Sequence, residues 1–151
     1  MHLMPVYFYR VNEPYGEFSN FAKYPFEADG KEWPTSEHYF QAQKFAGTVH
    51  AEQVRLARTA RDAASMGRDR NLPMRPDWEA VKLDVMRAAI RHKFDSHRAL
   101  VDLLLSTGDE QIIERTTDDE YWRCGSSGEG LNMLGKLLME LRLALRNPQG
   151  P

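Results

Sequence analysis

Apolar residues recur at helical spacing in two long stretches of the chain. One follows Asp77, which can cap a helix that runs to about Lys93. Its apolar positions are Trp78, Val81, Val85, Ala88 and Ala89. The other covers about 133–146, and its core face is made of leucines: Leu134, Leu137, Leu138, Leu141 and Leu145. The pattern therefore predicts one long helix in the middle of the chain and another near its end.

Capping residues and glycines predict four shorter helices. A Ser, Thr, Asp or Asn side chain can accept a hydrogen bond from the first free amides of a helix, and a glycine often follows the last turn. The predicted helices are about 37–45 after Thr35 or Ser36 and before Gly47, about 50–58, a short helix opened by Thr59 and closed by Gly67, and one from Ser96 to about Leu105.

Short β-branched and aromatic runs predict a minor sheet. The segments 6–9 and 110–116 are typical of strands, and 26–33 is typical of a β-hairpin because Asp29-Gly30 suits a tight turn with positive φ values. The fold class is thus α+β, a single mainly helical domain over 1–151 with a small antiparallel sheet. The last residues, about 147–151, are expected to fray.

Composition agrees with one globular domain. The 151 residues are 42% hydrophobic and 28% charged, as in ordinary folded proteins. No apolar run approaches the roughly 18 residues of a membrane span, so no membrane association is expected. No secretory signal is visible at the N-terminus, and the lone Cys124 excludes an internal disulfide framework and fits a reducing compartment. We therefore expect a cytoplasmic protein.

Positive charge is concentrated in one part of the chain. The formal net charge is −2, which argues against a general nucleic-acid coat. The stretch 55–75 nevertheless holds six arginines and only two acidic residues. The arginines are Arg55, Arg58, Arg61, Arg68, Arg70 and Arg75. They form either a solvated helix face or a patch that faces phosphate.

Three polar residues of the helix predicted over 37–45 share one face. Glu37, Gln41 and Lys44 stand at i, i+4 and i+7, with the outer Cα atoms about 10 Å apart. Tyr39, together with other apolar residues of this helix, can face the core from another side. The polar face is either an exposed stripe or one wall of a cleft that could hold a ligand.

A long polar and glycine-rich loop over 117–131 is the second candidate for chemistry. It combines three acidic residues with a Tyr-Trp pair in the segment 118–122. A tryptophan ring can stack on a base or sugar, and a neighbouring carboxylate can accept hydrogen bonds from it. The following glycines free backbone amides just before the last helix, where an anion is favoured. The alternative is a purely connecting loop.

Other chemistries receive no support from the sequence. The five histidines form no HExxH pattern and have no cysteine partner, so no metal is expected. Cys124 has no identifiable base, and neither a nucleophile elbow nor a dinucleotide fingerprint is present. We predict no cofactor. The oligomeric state does not follow from the sequence.

The order of motifs along the chain resembles the YbiA/NADAR family. The most specific block is Trp-Pro-Thr-Ser-Glu-His-Tyr-Phe-Gln-Ala-Gln-Lys-Phe over 33–45. The other matching pieces are 16–21, 66–68, 78–94, 114–122, 132–135 and 138–142. The resemblance covers nearly the whole chain and implies a YbiA-like α+β fold. One departure follows Trp122, where Arg123-Cys124 precede Gly125 and leave the identity of the substrate open.

The resemblance implies an N-glycosidase that cleaves the bond between ribose C1 and an exocyclic amino nitrogen. Two substrate classes are associated with the family: ribosylamino-pyrimidine phosphates of riboflavin biosynthesis, and ADP-ribose attached to the guanine amino group. The expected partner is therefore a small ribosylated base or an ADP-ribose conjugate, with ADP-ribosylated nucleic acid as a further possible substrate. The rival function is a module that binds ADP-ribose or a nucleotide without turning it over.

Residue roles follow from the resemblance and from the chemistry of the side chains. The expected catalytic residues are Glu37, Lys44 and Asp119. The expected substrate-binding residues are Asn20, Phe21, Gln41, Arg68, Trp122, Gly125 and Asn132. A carboxylate can stabilise positive charge at C1 or activate water, whereas a lysine of lowered pKa can attack C1 and form a Schiff base. Both routes remain open at this point.

Overall fold

A computed structural model describes residues 4–115, 122 and 131–147. In chain order, the described elements are β1 (Val6–Phe8), a 3-10 turn (Gly16–Phe18), β2 (Phe26–Ala28), β3 (Lys31–Trp33), α1 (Ser36–Gln43), α2 (Val49–Arg55), α3 (Ala60–Gly67), α4 (Trp78–Asp95), α5 (Arg98–Ser106), β4 (Ile112–Glu114) and α6 (Met133–Arg146). The α+β fold class with a small antiparallel sheet is confirmed.

The chain divides into two compact units, Asn20–Ser96 and the combination of Met1–Ser19 with His97–Pro151. In the first unit, α1 packs against α2, α3 and α4. Its core is a cluster of buried aromatic and small side chains: Phe26, Ala28, Trp33, Tyr39, Ala42, Phe45, Val54, Ala63 and Ala89. The apolar side expected for α1 is thus confirmed, and burial of this cluster fixes the helix in place. The expectation of a single domain stays a prediction.

The hairpin β2–β3 leads directly into α1. Asp29 and Gly30 have φ values of 58° and 75°, so the predicted tight turn with two positive φ values is confirmed. The strands are antiparallel, with Phe26 opposite Trp33. The indole N–H of Trp33 donates to the carbonyl of Ala28 at 3.0 Å, which satisfies the polar atom of a buried ring.

In the second unit, β1 and β4 form a parallel pair with Val6 opposite Ile112. This pairing adds to the predicted antiparallel hairpin. The helix α6 packs against both β4 and α5. Leucines on its predicted core face are buried, among them Leu134, Leu137 and Leu138. None of the helices in the described ranges is long and apolar enough to cross a membrane.

One predicted helix cap is wrong, and another is confirmed in position only. Ser96 does not begin α5; its hydroxyl donates to the carbonyl of His92 at 2.9 Å and completes the end of α4, so that His97 is the N-cap residue. Asp77 does precede α4, but its carboxylate pairs with Arg75 at 2.6 Å and makes no capping bond. In both cases a nearby polar group competes successfully for the side chain. The helix expected over 50–58 ends earlier, at Arg55.

Candidate active site

The helix α1 carries the candidate site and is buried on every side over most of its length. Thr35 is the cap, as predicted, and its hydroxyl accepts from the amide of His38 at 3.1 Å. Residues 36–42 are all buried. A helix that is buried all round but contains polar side chains must provide each of them with a partner.

Glu37 and Gln41 form a hydrogen-bonded pair inside this buried segment. The two residues are 8% and 7% exposed, and the Gln41 amide donates to the Glu37 carboxylate at 2.8 Å. The alternative of an exposed polar stripe is therefore wrong for these two residues. The amide oxygen of Gln41 is buried and has no hydrogen-bond donor within the described part of the chain. It lies instead against Gly67.

Lys44 extends the polar face by one further turn. Its ammonium donates to the carbonyl of Gly67 at 3.1 Å. It also lies 5.9 Å from the ring centroid of Phe40 and 5.7 Å from that of Trp78, at cation–π distance from both. The amine is therefore held in a half-buried place between aromatic rings and a backbone carbonyl.

The surroundings of Lys44 lower its pKa. Burial is the main cause, because it disfavours the charged form. Among the charged neighbours, Glu37 raises the pKa and Arg68 lowers it, with smaller effects from Glu79 and Lys82. A larger share of this amine is thus uncharged near neutral pH than for an exposed lysine, as a nucleophilic lysine requires.

Asn20 holds the start of α1 from the preceding loop. Its side-chain oxygen accepts from the Ser36 hydroxyl at 2.8 Å, and its backbone carbonyl accepts from the amide of Glu37 at 3.1 Å. Its amide nitrogen lies 3.3 Å from the sulfur of Met86. The structure thus gives Asn20 a positioning role next to Glu37, and its predicted contact with substrate stays a prediction.

Phe21 lines a cavity of about 560 Å³ on another side of α1. The cavity also includes Thr35 and His38 but none of Glu37, Gln41 and Lys44. This cavity therefore does not support the prediction that Phe21 shares a site with the polar face of α1.

His38 is a buried residue of α1 that the sequence did not single out. Its Nε2 lies 3.0 Å from the carbonyl of Ala57, which can only accept, so Nε2 carries the proton. Its Nδ1 then accepts from the Thr35 hydroxyl at 2.8 Å. Burial lowers the pKa of His38, while the bond to Ala57 and the charge of Asp62 oppose the shift. The ring is therefore a neutral structural link between α1 and the segment after α2.

Asn132 directly precedes α6 and is bound to β4. Its side-chain oxygen accepts from the amide of Glu114 at 3.1 Å, and its nitrogen donates to the carbonyl of Ile112 at 2.9 Å. It has a left-handed backbone, with φ of 51°. Trp122 is partly buried, and its carbonyl accepts from the amide of Leu134 at 3.0 Å. A substrate contact of Asn132 or Trp122 stays a prediction.

Asp119 and Gly125 lie outside the described residues, as does most of the predicted acidic and aromatic loop. Arg68 lies at the end of α3, is exposed, and donates to the Ser65 hydroxyl at 3.4 Å. Two of the other arginines in the basic stretch are paired with acidic residues, Arg55 with Glu52 and Arg75 with Asp77.

No metal site is formed within residues 4–115, 122 and 131–147: no three His, Cys, Asp or Glu side chains come together there. Gly67 also belongs to the site, although the sequence alone predicts only a helix end there. Its signal was its place in the Met-Gly-Arg motif, but its contacts with α1 arise from tertiary packing.

Comparison with known proteins extends the resemblance. The NADAR domain family matches residues 7–146. N-glycosidase YbiA of Escherichia coli K12 is 53% identical over 135 residues, covering 89% of this chain and 84% of that protein. N-glycosidase Npun_R5314 of Nostoc punctiforme is 44% identical over 147 residues, covering 95% and 94%.

A plant relative and a solved structure agree with these matches. The riboflavin biosynthesis protein PYRR of Zea mays is 40% identical across 89% of this chain, which corresponds to 24% of its own length. The NMR structure of Escherichia coli YbiA superposes with a TM-score of 0.89 at 49% identity, covering 99% of this chain and 89% of that one. Sequence and fold lead to the same conclusion: the chain belongs to the NADAR family.

Proposed function

We propose that this N-glycosidase uses Glu37 and Lys44 to cleave the bond between ribose C1 and an exocyclic amino nitrogen. The observation that carries the proposal is the arrangement on α1, where a buried carboxylate and an amine of lowered pKa share one polar face. Each is held by a neighbour, Glu37 by Gln41 and Lys44 by the carbonyl of Gly67. Simple binding of a nucleotide would not require a buried acid and a pKa-shifted amine together.

The two groups divide the reaction between them. The uncharged amine of Lys44 attacks C1 and gives up a proton to the Glu37 carboxylate, which passes it to the amino nitrogen of the base as the C1–N bond breaks. The base thus leaves as its free amine. The ring C1–O4 bond then opens, the remaining proton of the lysine nitrogen moves to O4, and an imine joins Lys44 to the open-chain sugar. Water then hydrolyses the imine, with Glu37 accepting a proton, and the sugar is released as Lys44 is restored. The sum is hydrolysis of one C–N bond by one water.

The remaining predicted residues would bind the substrate around this centre. Asp119 would hold ribose hydroxyls, Trp122 would stack on the base, and Arg68 with the amide of Gly125 would contact phosphate. Gln41, Asn20, Phe21 and Asn132 complete the proposed set. The support for phosphate binding by Arg68 is that its guanidinium is exposed and close enough for its positive charge to lower the pKa of Lys44.

The proposed substrate is a ribosylamino-pyrimidine phosphate. The support is that relatives named riboflavin biosynthesis proteins, from Zea mays and from Vibrio vulnificus, match along 89% and 94% of this chain. ADP-ribosylated guanine, as nucleoside or nucleic acid, is the competing substrate. We also propose that the protein is located in a reducing compartment such as the cytoplasm, and the support is its single cysteine, Cys124.

The test is release of free base, followed by chromatography, from a ribosylamino-pyrimidine phosphate and from ADP-ribosylated guanosine. We expect release from the pyrimidine, with Glu37→Gln and Lys44→Ala each at least 100-fold slower. The exposed residues Glu27 and Lys136 provide the controls Glu27→Gln and Lys136→Ala, which should match the unaltered protein. Release of base from ADP-ribosylated guanosine alone would show that the substrate is ADP-ribosylated guanine rather than the pyrimidine. Binding without release of either base would favour a module that binds nucleotides without catalysis.

A further inference from the structure

We infer that Gly67 is a positioning residue that holds both proposed catalytic groups: its missing side chain admits the amide of Gln41, and its carbonyl anchors Lys44. The inference rests on the proposed function and extends it to α3, which packs against α1.

The first observation is steric. A Cβ on Gly67 would lie 2.5 Å from Cδ of Gln41 and 3.2 Å from its Cβ, and closer still to its amide oxygen. Contacts below 3.0 Å between such atoms essentially never occur. The Gln41 amide therefore occupies the volume that any other residue at position 67 would fill.

The second observation is that backbone conformation does not require glycine here. Gly67 is the last residue of α3 and is not among the glycines with positive φ, which in the described ranges are Gly30, Gly47 and Gly108. Alanine would be favoured over glycine in a helix by about 1 kcal/mol. Space, rather than chain conformation, is therefore the reason for glycine.

The third observation is that both contacts of Gly67 lead to the proposed chemistry. The Gln41 amide, seated against Gly67, donates to Glu37 at 2.8 Å. The Gly67 carbonyl accepts from Lys44 at 3.1 Å. Because Gln41 is 7% exposed, its side chain has little room to retreat. A methyl group at position 67 would force the amide away from Glu37 or move α3, and with it the anchor of Lys44.

The experiment is a double-mutant cycle with Gly67→Ala, Gln41→Ala and both together. Steady-state kinetics on the substrate that the unaltered protein turns over, and melting temperatures, are measured for all four proteins. Gln43→Ala, on the same helix and outside the site, is the control.

We expect Gly67→Ala to lower kcat at least tenfold in the natural background and less than threefold when Gln41 is already alanine, because the shortened side chain vacates the space. The melting temperature should show the same pattern. Gly67→Ala should lower it in the natural background but leave it unchanged, or raise it through the higher helix propensity of alanine, in the Gln41→Ala background. An equal loss in both backgrounds would overturn the inference, since a role in α3 alone does not depend on Gln41.

Two features keep this test distinct from that of the proposed function. If Gly67→Ala alone does not fold, restoration of folding by Gln41→Ala supports the steric claim and failure to restore it refutes the claim. If the unaltered protein turns over neither substrate, the proposed function fails, while the cycle in melting temperature still tests Gly67.

Discussion

Replacing Gln41 with leucine separates the catalytic importance of this residue from its contribution to stability. The side chain donates one hydrogen bond to a carboxylate, worth about 1.5–3 kcal/mol, but also buries an unpaired amide oxygen, which costs about 1–3 kcal/mol. Leucine removes both at similar volume. The two effects nearly cancel, so we expect the free energy of unfolding to change by less than about 1 kcal/mol.

Activity should respond very differently to the same change. Glu37 loses the donor that orients its carboxylate, and a loss of about 2 kcal/mol in the transition state corresponds to roughly 30-fold in kcat. Urea unfolding and the base-release assay on Gln41→Leu, with Gln43→Leu as the control, measure the two effects. A destabilisation above about 3 kcal/mol, or activity equal to that of the control, would refute the reasoning.

Three further predictions concern the charges around Lys44, the protonation of His38 and the hydrogen bonds of Asn132. Glu37→Gln should lower the pKa of Lys44 and Arg68→Gln should raise it, because the two charges act on the amine in opposite directions. The pH dependence of acylation at Lys44, followed by peptide mass spectrometry, measures both pKa shifts. Two shifts in the same direction would contradict the prediction. Burial lowers the pKa of His38 from 6.5, so the unfolded chain binds more protons and stability should fall as the pH drops below about 6.5. His38→Gln should lose this dependence in urea unfolding between about pH 7.5 and pH 5, and an unchanged slope would contradict the assignment. Asn132→Ala should lower the free energy of unfolding by about 2–4 kcal/mol, because two backbone groups of β4 lose their partners and alanine must adopt φ of 51°. Thermal unfolding measures this change, and a decrease below about 0.5 kcal/mol would contradict the role of Asn132.

Local signals in the sequence predicted the elements that position the site. The Asp29-Gly30 turn and the Thr35 cap depend on a few neighbouring residues, and both are confirmed. The shared face of Glu37 and Gln41 follows from helix geometry alone, and their hydrogen bond confirms it.

Features that depend on distant residues were not predicted. The parallel pairing of β1 with β4 joins two three-residue segments, Val6–Phe8 and Ile112–Glu114, that lie far apart in the sequence and have no common local pattern. Burial of α1, which carries Glu37, depends on three helices packed against it, and the role of Gly67 depends on where α3 meets α1. The wrong cap at Ser96 shows a similar limit, because its hydroxyl can bond forward or back along the chain.

The central claim is that Lys44 attacks the sugar. Its most direct test is to add borohydride during turnover of the ribosylamino-pyrimidine phosphate and to locate the reduced adduct by tandem mass spectrometry. The account predicts one pentose phosphate on Lys44, and no such adduct in Lys44→Ala. Continued turnover with no adduct on Lys44, or full activity in Lys44→Ala, would contradict it.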